Sequence, residues 1–404
     1  MAERSFLEKD FPNIWDYLYA YGNTSFEELP FNVADNLVLA CLAYIPWENF
    51  LKPNLDFTPI SLKDALCAFL GWLRPDYLLY HDPDWSKKQL VVAAALVNSS
   101  RFSSSKRTAF GYELSQKDFT QFGAISLRLD EKTMAVCFRG TDNSFLGWKE
   151  SLSLAIYPSL PGQVAAEKFL KKERQSFPDC RFYVLGHSKG GNLAVYASSM
   201  LSLDESKRII SIYSDDGPGL VRETYDLEGH RRIQPKIIHI VPQFDIVGTL
   251  LLHERITHIV KSYPKNDIIN QHDICNWHLD PNCLYRLDTV SQLDTLSVVI
   301  AKSANELLDT VLRTPSDKKM LIDGILNTLE ATGIKEPGQI IQSPTGFRRK
   351  FYFQYRKQKK EEKKIRHDSI FAFFRLIQKN LSLVSKKKGK DTDKKALSLP
   401  KGSK

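Results

Sequence analysis

Ser188 is the residue in this chain whose neighbours say most about covalent chemistry, because it lies in Gly186-His187-Ser188-Lys189-Gly190. Four apolar residues, Phe182 to Leu185, come before it, and a stretch rich in helix formers, Asn192 to Met200, comes after. The pentapeptide therefore falls at a strand-to-helix turn, the setting of a nucleophile elbow. The glycines let the backbone turn tightly enough to lift the Ser188 hydroxyl clear of the sheet. The helix beginning at Lys189 aims its free N–H groups and positive dipole end at the same point. A serine hydroxyl becomes a useful nucleophile once a base takes its proton and a third group orients that base. The chemistry this predicts is attack on an acyl carbonyl.

Nine histidines compete for the base. On such an elbow the partners follow in the order Ser, Asp or Glu, His, on loops at the C-terminal ends of later strands, which excludes His81 and His187. His239 and His258 lie inside strand patterns and read as core or sheet-face residues. His272, in Asn270-Gln271-His272-Asp273, sits on a mostly polar loop after the last strand and is the leading base, with His253 next. Asp245 follows the apolar run from Lys236 to Val241, at the sheet edge where catalytic loops gather, and is the leading acid. An oxyanion hole needs two backbone N–H groups. One is expected from Lys189 and the other from the Gly140-Thr141 loop. Arg139 and Asp142 beside that loop are expected to hold it by ion pairing rather than to touch substrate.

The elements that must position these residues form an alternating pattern. Strand signals run from Phe122 to Leu129 and, after a turn at Asp130-Glu131-Lys132, from Thr133 to Phe138. A crossover helix with Pro161 near its start leads to the elbow strand, and β-branched runs recur at Ile209 to Tyr213, Lys236 to Val241 and Ile256 to Val260. This predicts an α/β fold of the α/β-hydrolase type, a mostly parallel sheet flanked by helices. Residues 1–100 read as a helical, aromatic-rich layer packed on or capping the core. Within it Asn32 can cap a helix that places Val33, Leu37, Cys41 and Tyr44 on one face. Residues 101–344 form the hydrolase domain with its C-terminal helices, and 345–404 a basic tail, partly amphipathic helix and partly disordered. The tail carries 20 Lys and Arg against 5 Asp and Glu, which turns an overall net charge of +9 into −6 for residues 1–344.

The motif series Phe138-Arg139-Gly140-Thr141 with Trp148, then Gly186-His187-Ser188-Lys189-Gly190-Gly191, Asp245-Ile246-Val247 and His272 resembles that of class 3 lipases. The resemblance covers roughly residues 120–280 and implies a Ser188, Asp245, His272 triad with an oxyanion N–H from Thr141. Phe31-Asn32 with Asp35-Asn36-Leu37, Ser188 to Ala194, and Asp216-Gly217-Pro218-Gly219 resemble more closely an uncharacterised bacterial branch of that superfamily, the Mbeg-like proteins, over about residues 10–340. Three positions depart from the lipase pattern. Gly248 stands where a proline usually follows Asp-x-Val, Asp273-Ile274-Cys275 replaces a Gly and Glu after the histidine, and Lys189 replaces a small or apolar residue.

The expected function is that of a lipase- or esterase-like serine hydrolase, cleaving a small-molecule or lipid acyl ester through an acyl-enzyme, with no cofactor and no metal. The competing reading is a hydrolase fold kept as a non-catalytic binding protein at a membrane surface. His272, Cys275, His278 and Cys283 are zinc-ligand types at spacings that match no common site, and the six scattered cysteines read as reduced thiols. The basic tail lacks a recognised nucleic-acid module. Its apolar positions Ile370, Phe373, Phe374, Ile377, Leu381 and Val384 follow helical spacing among lysines, so residues 346–390 are expected to contact an anionic membrane surface. With no apolar leader or spanning segment in the sequence, the expected location is cytoplasmic, with peripheral contact at the inner membrane face.

Overall fold

Strands that are largely apolar need cover on both faces, and strands of that kind dominate the parallel centre of the sheet. The computed structural model describes residues 11–51, 60–73, 83–331 and 364–380, apart from 104, 106–107, 116, 118–119, 143, 265–266, 366 and 370. Its strands are β1 (Thr108–Ser115), β2 (Thr120–Arg128), β3 (Thr133–Phe138), β4 (Arg181–His187), β5 (Ile209–Asp215), β6 (Ile237–Pro242), β7 (His258–Val260), β8 (Leu279–Asp280), β9 (Cys283–Leu287) and β10 (Thr289–Val290). The main sheet has eight strands in the order β1-β2-β3-β4-β5-β6-β7-β10, with a separate β8-β9 hairpin. Neighbours from β3 to β7 pair in parallel, while β1, β2 and β10 join antiparallel at the edges. With the strand, elbow and helix at its centre, this is an α/β-hydrolase fold.

Side chains alternate across the sheet and divide the core in two. Met134, Val136 and Phe138 of β3 face a cluster with Phe182, Val184 and Ile212, covered by Ala166 and Leu170 of helix Pro161–Ser176 and Leu193 and Ala197 of helix Lys189–Ser199. Ala135 and Cys137 of the same strand face the other way. There Leu185, Tyr213 and Ile240 meet the N-terminal helices Ile14–Tyr21, Val33–Leu42, Leu62–Trp72 and Pro83–Val97. Sequence patterning starts the sheet at Phe122, and the structure adds β1 before it. That strand, Thr-Ala-Phe-Gly-Tyr-Glu-Leu-Ser, mixes polar residues and a glycine into its run because it lies at the sheet's edge.

Helix Val33–Leu42 connects the N-terminal layer to the sheet end that carries the elbow. Asn32 caps it in a reciprocal box with Asp35. The Asp35 carboxylate then accepts from Arg101 Nε at 2.8 Å, Arg101 Nη2 at 2.7 Å and the Tyr17 hydroxyl at 2.7 Å, and both partners of the ion pair are fully buried. One residue further along, Asn36 Nδ2 donates to both carboxylate oxygens of Asp215 at 2.9 Å, at the end of β5.

Of the basic tail, the described residues 364–380 include the helical run 371–380. Asn380 is buried and donates to Ser303 Oγ at 3.0 Å on helix Thr295–Thr310, and Lys379 reaches Glu306 at 3.3 Å. Phe371 and Phe374 remain exposed. The rest of the expected surface-contacting segment lies outside the described residues. No helix among the described residues is long and apolar enough to cross a membrane.

Removing one partner of a buried ion pair strands the other charge, at a cost of about 3–5 kcal/mol. Arg101→Leu is therefore expected to lower the unfolding free energy by about that amount, read from urea denaturation. A loss below about 1 kcal/mol would show that Arg101 does not anchor the capped helix.

Candidate active site

The elbow forms because the chain passes from β4 into a helix with no intervening loop. Ser188 takes the strained left-handed conformation, φ 58° and ψ −130°, and its N–H bonds the Asp215 carbonyl at 2.9 Å. A side chain at Gly190 would put its Cβ 2.1 Å from the Phe138 carbonyl oxygen of β3, a backbone atom that cannot yield. Glycine is needed there so that the helix can start directly against the neighbouring strand. A Cβ at Gly186 would likewise meet Gly190 at 2.3 Å.

His272 ends the short helix Ile268–His272 and is tied to the elbow by its own backbone. His187 Nε2 donates to the His272 carbonyl at 2.7 Å, and His187 Nδ1 receives the Tyr44 hydroxyl at 2.8 Å. Burial holds His187 neutral, with its pKa lowered to about 3, which suits a ring that donates on one side and accepts on the other. His187, excluded as the base by chain order, is thus the strut between the N-terminal layer, the elbow and the His272 loop. The two imidazoles lie 4.5 Å apart between centroids.

His272 Nδ1 contacts Asp216 Oδ2 at 2.6 Å. An ionised carboxylate can only accept, so Nδ1 carries the proton and Nε2 keeps its lone pair. The ring remains 24% accessible whereas Asp216 is buried. Burial lowers the His272 pKa, opposed in part by the charge of Asp273. Sequence order favours Asp245 for the Nδ1 contact, and the structure corrects this: Asp216 makes it. Both aspartates follow ends of adjacent strands, β5 and β6, so order and strand position cannot separate them. Asp216 has φ 48°, which turns it out of β5 toward His272. Asp245 stands beside it, the Oδ1 atoms of both carboxyls accepting from the one Gly248 N–H at 2.8 Å (Asp216) and 3.0 Å (Asp245). The alternative base, His253, bonds the Glu254 carbonyl through Nδ1 and lies beside His239, away from this cluster.

Lys189 follows Ser188 at the start of the elbow helix and Thr141 follows the end of β3, and neither N–H is engaged by another group among the described hydrogen bonds. The Lys189 side chain is buried. Its Nζ donates to the Gln121 carbonyl at 2.5 Å, to Gln121 Oε1 at 2.6 Å and to Glu150 Oε2 at 2.6 Å. Glu150 also accepts from Gly162 N at 3.0 Å and Gln121 N at 3.1 Å. Lys189 therefore fastens the elbow to β2, to helix Phe145–Ser153 and to the start of helix Pro161–Ser176. Burial pulls its pKa down and Glu150 opposes that shift. Of the two residues expected to hold the loop by ion pairing, Arg139 does so with a partner outside it and Asp142 binds a neutral one. Arg139 binds Glu48 at 2.9 and 3.0 Å, while Asp142 accepts from the Ser144 N–H and hydroxyl at the start of the next helix. The zinc-type residues diverge as well. His272 faces Asp216, Cys275 lies 3.5 Å from Cys41 and His278 stacks on Phe11. No group of three such ligands is placed to hold a metal among the described residues.

Residues 96–326, more than half of the chain, match the Mbeg1-like family. The chain belongs to that family. A search of curated protein sequences finds no match. Among solved structures, this Mbeg1-like chain is similar to the M37 lipase at 16% identity, over 53% of this chain and 68% of that one, with a TM-score of 0.31. It is similar to lipase II from Rhizopus niveus at 22% identity, over 43% and 72%, and to the lipase from Rhizopus microsporus var. chinensis at 21%, over 40% and 62%, each with a TM-score of 0.27.

The buried pair at the elbow generates a stability prediction. Lys189→Met leaves Glu150 charged and buried and is expected to cost about 3–5 kcal/mol in urea unfolding. Adding Glu150→Gln removes the stranded charge while keeping an acceptor for one of the two backbone N–H groups, and should recover part of that loss. Additive losses in the double variant would show that the two side chains act independently.

Proposed function

We propose that the protein is a serine hydrolase of the esterase or lipase type, acting on a small-molecule or lipid acyl ester. The observation that carries this reading is a serine on a strained elbow beside an imidazole whose Nδ1 is bound by a buried carboxylate. That combination serves nucleophilic acyl transfer, and a sheet needing only a tight turn has no use for it. The motif series shared with class 3 lipases supports the same chemistry.

In the first half-reaction Ser188 Oγ attacks the ester carbonyl carbon while its proton moves to His272 Nε2. The carbonyl π electrons move to oxygen, where the N–H groups of Thr141 and Lys189 receive the negative charge. Collapse of this intermediate breaks the bond to the alcohol, which leaves with the proton from His272. Water then gives a proton to Nε2 and attacks the acyl-enzyme, releasing the carboxylic acid and restoring the Ser188 hydroxyl. Among the described hydrogen bonds none joins Ser188 to His272. Such contacts are often long in the free enzyme and tighten with substrate. The aromatic N-terminal layer next to the strut residue Tyr44 favours an apolar acyl group.

A fluorophosphonate probe is expected to label the intact protein and to lose its target in Ser188→Ala. On p-nitrophenyl esters of graded chain length, Ser188→Ala and His272→Ala should each lower kcat by about 10^4-fold or more. Persistent labelling of Ser188→Ala, or no turnover of any ester by the intact protein, would leave the fold as a binding protein.

A further inference from the structure

We propose that Asp216 and Asp245 work as a pair sharing one proton, with Asp245 a neutral carboxylic acid that donates to Asp216 and holds it ionised against His272. The proposal rests on the hydrolase reading for its kinetic consequence but not for its geometry. One donor serves both groups. The Gly248 N–H lies 2.8 Å from Asp216 Oδ1 and 3.0 Å from Asp245 Oδ1. Asp216 Oδ2 is taken by His272, and Asp245 Oδ2 is buried without a hydrogen-bond partner among the described residues. Thr249 lies alongside, but its hydroxyl donates to the Ile246 carbonyl. Two buried carboxylates that share one N–H are too poorly supplied with donors for both to be ionised, and a proton on Asp245 satisfies its orphaned Oδ2.

The distribution of charge decides which aspartate keeps the proton. Asp216 faces the His272 N–H, so its ionised form is stabilised. Asp245 faces Asp216 and uncharged groups, with its backbone carbonyl bound by the Ser297 hydroxyl. Burial raises both carboxyl groups, Asp216 to about 6, and the charge of Asp216 adds to the rise at Asp245. The other ionisable neighbours leave this order unchanged. Asp215 adds repulsion at Asp216 from β5 and is bound by Asn36, Asp273 on the His272 loop is paired with Lys88, and His187 is neutral.

The sequence departure at residue 248 has the same origin. A proline there would have no N–H to offer either aspartate. Any Cβ at 248 would stand 2.6 Å from Asp216 Oδ1 and 2.6 Å from Val241 Cγ1. Gly248 and the second carboxyl at 216 therefore belong together, and Asp245 acts through Asp216 as a positioning residue.

Infrared difference spectra of the full-length protein at pH 8, intact minus Asp245→Asn, test the pair without reference to catalysis. A carboxylic-acid C=O band present in the intact protein and lost in the variant is expected; its absence overturns the proposal. Asp245→Ser, a smaller neutral donor, gives the same comparison if the amide variant does not fold. In esterase assays Asp216→Asn should lower kcat by about 10^4-fold, as loss of a triad acid does. Asp245→Asn, which keeps a neutral donor, should lose about tenfold, and Asp245→Val, which keeps none, about 100-fold. Asp216 must be ionised to hold His272, so kcat should fall as pH drops through about 6, and this limb should move upward in Asp245→Val. Equal losses in Asp245→Asn and Asp216→Asn would return the acid's role to Asp245. If the intact protein hydrolyses no ester, the functional reading fails while the infrared result still decides the pair.

Discussion

The backbone of Ser188 is the constraint on which the rest of the site depends. A serine at φ 58° and ψ −130° sits outside the wells that L residues favour, at a cost of about 1–3 kcal/mol that the surrounding structure must offset. Its N–H is fixed to the Asp215 carbonyl, the next turn is pressed against Phe138 through Gly190, and the Lys189 ammonium is buried in an oxygen cradle. Each contact comes from a different part of the sheet. The strain can therefore be relieved only by moving β2, β3 and β5 together.

This explains an oddity of the elbow, a lysine where an apolar residue would seem to suffice. Charge burial is expensive, and a buried ion pair is rarely more stable than well-packed apolar groups. It does provide direction. Three acceptors in a fixed arrangement determine where Lys189 Nζ must lie, and hence where the first N–H of the elbow helix points. Tyr44 and His187 work in the same way on the other side, aligning the His272 carbonyl through two hydrogen bonds and no net charge.

Much of this organisation is readable from the chain. Apolar runs without alternation mark β4, β5 and β6, glycines mark the elbow, and Asn32 marks the start of the helix that later supplies Asn36. Edge elements are less legible, because β1 needs only one buried face and its Tyr112 and Glu113 dilute the pattern. Side-chain partners across long sequence separations are not legible at all. Arg139 could pair with Asp142 three residues away, yet it pairs with Glu48, 91 positions distant, since Asp142 is already committed to Ser144. The carboxylate at His272 Nδ1 is missed for a related reason. Chain order ranks Asp245 correctly as a loop residue at the right sheet edge, and Asp216 meets the same criteria one strand earlier.

What could have separated the two aspartates is the residue type at 248. An acid that accepts a backbone N–H needs that N–H to exist, and a glycine in place of proline provides it together with the space a second carboxyl requires. At both departures from the lipase pattern, 189 and 248, the residue present has a partner in the structure. Lys189 requires Glu150, and Asp216 requires Gly248. In each case a charged group enters the interior only where a partner with the matching donor or acceptor has entered with it, as the cost of burying an unpaired charge demands. Sequence departures near a catalytic motif are therefore best read in pairs, by asking which second position supplies the missing donor, acceptor or space.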